Sequence, residues 1–148
     1  MKTTLKLILL ALTISFVSCS KSNDDNVNPN NSTSKVDQVT GDWTVTFYTD
    51  SGKDETSDFN GYTFVFGTDG TLTASSSAGT FTGTWWIGNK SGDDDNSSNR
   101  LNIVISGNKA MEDLSHNWVI LSITNTSIQL QDDNPASMEE IHFGRTNQ

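Results

Sequence analysis

The chain has 148 residues, with 18 Asp and Glu against 9 Lys and Arg, a formal net charge of −9. That balance disfavours nucleic acid and anionic lipid surfaces as partners, since both repel an acidic protein. The single cysteine, Cys19, excludes an internal disulfide. The first residues then read in three parts. Met1 to Lys6 carries two positive charges, Leu7 to Val17 is almost wholly apolar, and small residues follow at Ser18, Cys19 and Ser20. This pattern predicts a secretory signal peptide over residues 1–18. Its apolar run of about eleven residues would span roughly 16 Å as a helix, well short of a ~30 Å hydrocarbon core, which argues against a permanent membrane span. Loss of Lys2 and Lys6 with the leader leaves seven basic residues against eighteen acidic ones, a formal charge of −11.

Residues 19–37 are dominated by Ser, Asn, Asp and Thr. They have too little apolar surface to repay the entropy of folding, so they are expected to form a disordered tether with a reach of roughly 20–25 Å. The remaining stretch, 38–148, is the right size for one domain and too short for two.

From residue 40 the dominant period is two, the period of a strand. Trp43, Val45 and Phe47 alternate with polar residues, as do Tyr62, Phe64 and Phe66. Gly67 to Gly70 then supplies a tight turn. Leu72 and Ala74 follow, then Phe81, Gly83, Trp85 and Ile87, then the runs 101–106, 118–123, 127–131 and 138–143. Only Ala110 to Leu114 suggests a helical turn. The expected fold is all-β: eight short antiparallel strands closed as an up-and-down β-barrel, a topology without free edges. A two-sheet sandwich is the competing arrangement.

Two resemblances sharpen this reading. Phe16-Val17-Ser18-Cys19 resembles the bacterial lipobox, which implies that Cys19 is acylated and becomes the mature N-terminus. Membrane lipid is then its first partner, because each buried methylene contributes roughly 0.8 kcal/mol. The expected location is the cell envelope, anchored in the outer membrane, on its periplasmic or its outer face. Asp24 and Asp25 look like the acidic signal that sends lipoproteins of Bacteroidota-type bacteria to the outer face, and they read equally well as part of a solvated linker.

Gly41-Asp42-Trp43 resembles the Gly-x-Trp signature that opens lipocalin barrels. With Gly83-Thr84-Trp85, Trp118 to Leu121 and the terminal Ile141 to Arg145, it is similar to the lipocalin-like domain of Bacteroidota lipoproteins over residues 39–146. The resemblance implies that Arg145 packs on Trp43 and that Gly41, Trp43 and Arg145 close one end of the barrel. The Thr-Asp-x-Arg loop of true lipocalins has no counterpart, which points to a shorter relative.

An eight-stranded barrel either fills itself with side chains or holds one small ligand. Phe47, Phe64, Phe66, Phe81, Trp85 and Trp118 are the inward aromatics expected to line such a space, and both outcomes stand open. Trp86 falls on the face opposite Trp85.

No cofactor and no metal is expected. Gly92 to Asn99 is rich in oxygen ligands, but an EF-hand alignment from Asp93 puts Ser98 at the glycine position and Val104 at the bidentate acid. His116 and His142 lack metal-ligand spacing. Ser115 and His116 are adjacent, which does not present a nucleophile to its base, and Glu139 and Glu140 alternate sides of a strand. The chain therefore reads as a non-enzymatic binding module for a small apolar or amphipathic molecule. The alternative is a filled barrel that recognises an envelope protein or a glycan through its loops.

Overall fold

A computed structural model describes residues 34–88, 99–134 and 136–146. The leader, Cys19, the tether up to residue 33, the Asp24–Asp25 pair and the acidic loop at residues 93–96 lie outside these described residues. Among them, no helix is long and apolar enough to cross a membrane.

The first element among the described residues is a short helix, α1 (Lys35–Val39), which overlaps the end of the stretch expected to be tether. A capping box starts it: the Ser34 hydroxyl accepts from the Asp37 backbone N–H at 3.1 Å, and the Asp37 carboxylate accepts from the Ser34 N–H at 3.3 Å. The strands follow as β1 (Gly41–Asp50), β2 (Lys53–Asp54), β3 (Thr63–Phe66), β4 (Thr71–Ser76), β5 (Gly79–Ile87), β6 (Arg100–Ile105), β7 (Asn117–Ile123), β8 (Ser127–Gln131) and β9 (Glu140–Arg145). A 3-10 turn (Thr56–Phe59) precedes β3, and a second helix, α2 (Lys109–Leu114), lies between β6 and β7.

Every pairing is antiparallel and sequential, and β9 pairs back onto β1 from Trp43–Arg145 to Thr49–Glu140. The result is a closed eight-stranded barrel, with β2 as an extra two-residue strand hooked on the end of β1. Closure answers the choice between barrel and sandwich, and it leaves the eight barrel strands without an unpaired edge.

The alternation expected from the sequence holds on most strands. Phe64, Phe66, Leu72, Ala74, Trp85, Ile87, Trp118, Ile128, Leu130, Ile141 and Phe143 all point inward and are buried. It fails in β1, where the register against β9 slips between Val45 and Phe47. Such a bulge adds one residue and flips the sides of everything after it. Tyr48, not Phe47, therefore enters the core, and Phe47 lies outside against the His142 ring at 5.0 Å. A second slip between Ile120 and Ser122 leaves Leu121 exposed. The last strand begins at Glu140, because Met138 has a φ of 51°, outside the strand region.

Candidate functional site

The end of the barrel that carries α1 is closed by one residue set. The guanidinium of Arg145 lies 4.1 Å from the centre of the Trp43 ring. It also donates to the carbonyls of Gln38 at 2.8 Å, Thr40 at 3.2 Å and Asn125 at 2.6 Å. One side chain thus ties α1, the start of β1, the β7–β8 turn and the end of β9. Gly41 is required beneath it: its φ is +124°, and a Cβ there would overlap the Arg145 Nη1. Arg145 thus lies over Trp43, with Gly41 close beneath the guanidinium. Trp43 is anchored a second time through its indole N–H, which donates to the Val39 carbonyl at 2.7 Å.

The barrel interior is occupied by aromatic rings packed edge to face. Phe66 meets Trp85 at 5.5 Å and Phe143 at 5.8 Å, and Phe64 meets Phe143 at 5.7 Å, with interplanar angles between 79° and 90°. These spacings are those of rings in direct contact. Of the six aromatics expected to line a cavity, Phe64, Phe66, Trp85 and Trp118 are buried in this packing. Phe81 is half-buried and packs on the core near Tyr62 at 6.3 Å. Phe47 is the exception, displaced by the β1 bulge.

The opposite end is covered from within the chain. Ala110, Met111 and Leu114 of α2 are buried, as is Phe59 of the 3-10 turn, which meets Tyr48 edge-on at 5.0 Å. The Trp118 indole N–H donates to the Leu114 carbonyl at 3.0 Å and holds α2 in place.

A pocket of about 540 Å³ lies instead at the α1 rim. The described residues around it are Ser34 and Val36 of α1, Thr68 to Gly70 of the β3–β4 turn, and Trp85 to Ile87 at the end of β5. Its volume is within the range of small-molecule sites, about 300–1,000 Å³. The β3–β4 turn is held by side-chain hydrogen bonds: Asp69 accepts from the Thr71 N–H at 3.0 Å and from the Thr71 hydroxyl at 2.6 Å, and Trp85 donates from its indole to the Gly67 carbonyl at 3.0 Å. Those two bonds from Thr71 hold the Asp69 carboxyl below the ordinary range. The residues around the pocket are therefore mixed: Val36, Trp85, Trp86 and Ile87 are apolar, and Thr68 and Asp69 are polar. Trp86 is half-buried on the outer face beside it, as the alternation with Trp85 predicts. Sequence reading saw residues 67–70 only as a turn.

At the α2 end the structure brings together three residues to which the sequence assigned no metal role. His116, Asp132 and Glu139 each present a donor atom within 4.8 Å of the others. Burial pushes the Glu139 carboxyl up, against the pull of His116, with Asp132 adding to the rise. Asp132 is raised by burial too, but hydrogen bonds from Ser137 and from backbone N–H groups bring it below the ordinary range. Spacing gave no hint of this meeting, because the β8–β9 connection closes only in three dimensions.

No family model and no curated protein matches the chain. Two solved structures are similar to it. A DUF4847 family protein from Bacteroides vulgatus shares 17% identity, with a TM-score of 0.52, over 74% of this chain and 94% of its own length. A lipocalin-like protein from Bacteroides uniformis shares 14% identity at the same TM-score, over 74% of this chain and 99% of its own. At that identity the likeness speaks for the fold, and with the closed barrel and the Gly41–Trp43–Arg145 closure it establishes that this chain has a lipocalin-like β-barrel.

Proposed function

We propose that the protein is a lipid-anchored binding module of the cell envelope, held at the outer membrane through acylated Cys19, which takes a small amphipathic molecule in the pocket at its α1 rim. It binds and does not catalyse. The observation that carries this reading is the contrast between the two spaces. Inside the barrel the rings of Phe64, Phe66, Trp85 and Phe143 stand in edge-to-face contact, whereas the rim pocket of about 540 Å³ is surrounded by the apolar Val36, Trp85, Trp86 and Ile87 together with the polar Asp69 and Thr68. Such a mixture suits a ligand with one apolar and one polar side. Ser34, the first described residue, is among the residues around this pocket.

The test is intrinsic tryptophan fluorescence titrated with fatty acids, isoprenoids and haem-like compounds. A saturable change that disappears in Trp86→Ala, and persists in Phe47→Ala on the far surface, is expected. Absence of any saturable change across the panel overturns the ligand. Anchoring is tested separately: wild-type protein should partition with membranes and incorporate palmitate, and Cys19→Ser should do neither.

A further inference from the structure

We propose that His116, Asp132 and Glu139 bind a divalent transition-metal ion of the zinc type at the α2 end of the barrel, remote from the rim pocket. The three come from two connections. His116 follows α2, and Asp132 and Glu139 stand at the two ends of the β8–β9 loop. The Asp132 backbone N–H donates to the Glu139 carbonyl at 3.1 Å, which fixes these two ends side by side. The His116 ring packs against the Trp118 ring at 5.4 Å, and this contact orients the imidazole.

One imidazole nitrogen with two carboxylate oxygens is a donor set for zinc and its neighbours, whereas magnesium and calcium favour oxygen alone. Zinc bonds of about 2.0–2.2 Å place tetrahedral donors about 3.3–3.6 Å apart. The His116 Nδ1 and the Glu139 Oε2 are 3.9 Å apart, and all three donors fall within 4.8 Å. The site therefore needs to contract by about an ångström on the ion, a shift within the reach of side-chain torsions.

A second observation, made on one of the three residues themselves, points to a ligand. The Glu139 Oε2 is buried without a hydrogen-bond partner. Buried polar groups are seldom left without partners, and orphans of this kind ask for an explanation. A cation gives the Glu139 oxygen its partner. Three protein donors also leave a coordination position open for a water. The His116 side chain is about a third exposed, 36%, so an ion can enter from solvent.

The experiment uses protein stripped with a chelator, titrated with zinc by calorimetry and with cobalt(II) by visible absorption. One zinc per chain is expected, with a rise in Tm and a shift of the His116 imidazole resonances that spares His142. His116→Gln, Asp132→Asn and Glu139→Gln should each weaken binding at least tenfold. The acidic-loop variant Asp93→Asn/Asp94→Asn/Asp95→Asn should bind zinc as the wild type does. Absence of binding heat and of a cobalt spectrum overturns the proposal. So does binding that moves no His116 resonance, or binding abolished by the loop variant and untouched by Glu139→Gln. The resonance measurement needs only wild-type protein, so a variant that fails to fold does not block the decision.

Discussion

Trp43 and Trp118 make the same hydrogen bond at opposite ends of the barrel. Each follows a short helix, and each indole donates to the carbonyl four residues back, the last residue of that helix: Val39 for Trp43 and Leu114 for Trp118. Each indole thereby satisfies one of the carbonyls that a helix C-terminus leaves unpaired. The two plugs of the barrel are thus latched to its walls by one device used twice.

Replacing either indole tests this latch. Trp43→Phe and Trp118→Phe each orphan a buried carbonyl, which costs about 1–3 kcal/mol, with a further loss in packing. The sites lie at opposite ends and share no partner in the bonds described, so the double variant should be additive within about 0.5 kcal/mol. Urea unfolding of the single and double variants measures both quantities. A large departure from additivity would mean that the two ends are coupled through the aromatic interior.

Gly41 and Arg145 form the second testable pair. Gly41→Ala sets a methyl against the guanidinium and forces an L-residue to a φ of +124°, so it should destabilise by more than about 1 kcal/mol. Arg145→Ala removes the clash along with the ring contact. The double variant should therefore be less damaged than the sum of the singles, with a coupling of about 0.5–3 kcal/mol in a thermodynamic cycle. Simple additivity would show that backbone strain alone fixes the glycine.

The β1 bulge predicts an inverted ranking of neighbours. Tyr48→Ala empties a core position and should cost about 3–5 kcal/mol, as buried aromatic truncations do. Phe47→Ala removes a ring from the outer face and should cost about 1 kcal/mol. Chemical denaturation of the two variants decides the register, and equal losses would speak against the bulge.

Asp69 provides a pH prediction for the rim pocket. Its folded pKa lies below the unfolded value of about 3.9 because of the bonds from Thr71. The contribution to stability is then present above about pH 4 and is lost as pH falls through the lower folded value. In Thr71→Val the carboxyl should titrate closer to the ordinary range, as read by carbon NMR of the carboxylate. An unchanged midpoint would remove Thr71 as the main cause. The carboxylate, and with it the polar side of the pocket, should stay charged in mildly acidic surroundings.

How much of this was visible in the chain depends on the range of the interaction. Period-two alternation exposed the barrel strands because it is a local signal, and Gly41-Asp42-Trp43 exposed the closed end because Gly41 must yield space to Arg145. The bulge was invisible, since Thr46 and Phe47 carry no mark of a one-residue slip. The first half of α1 was absorbed into the tether because the helix buries one residue, Val39, although the Ser34-x-x-Asp37 spacing was a legible capping signal. The joining of His116 with Asp132 and Glu139 was beyond sequence reasoning, because it depends on how two connections meet over the barrel mouth.

Closure by β9 on β1 has one more consequence. It places the start and the end of the folded domain side by side, with the Thr146 backbone N–H donating to the Asp42 carbonyl at 3.0 Å. The order in which the strands are synthesised is then one choice among several. A chain in which residue 146 is spliced to residue 34 by a short linker and cut open at the exposed Ala78–Gly79 hairpin has the same neighbours for every strand. Such a permuted barrel would begin and end at the opposite mouth, beside α2.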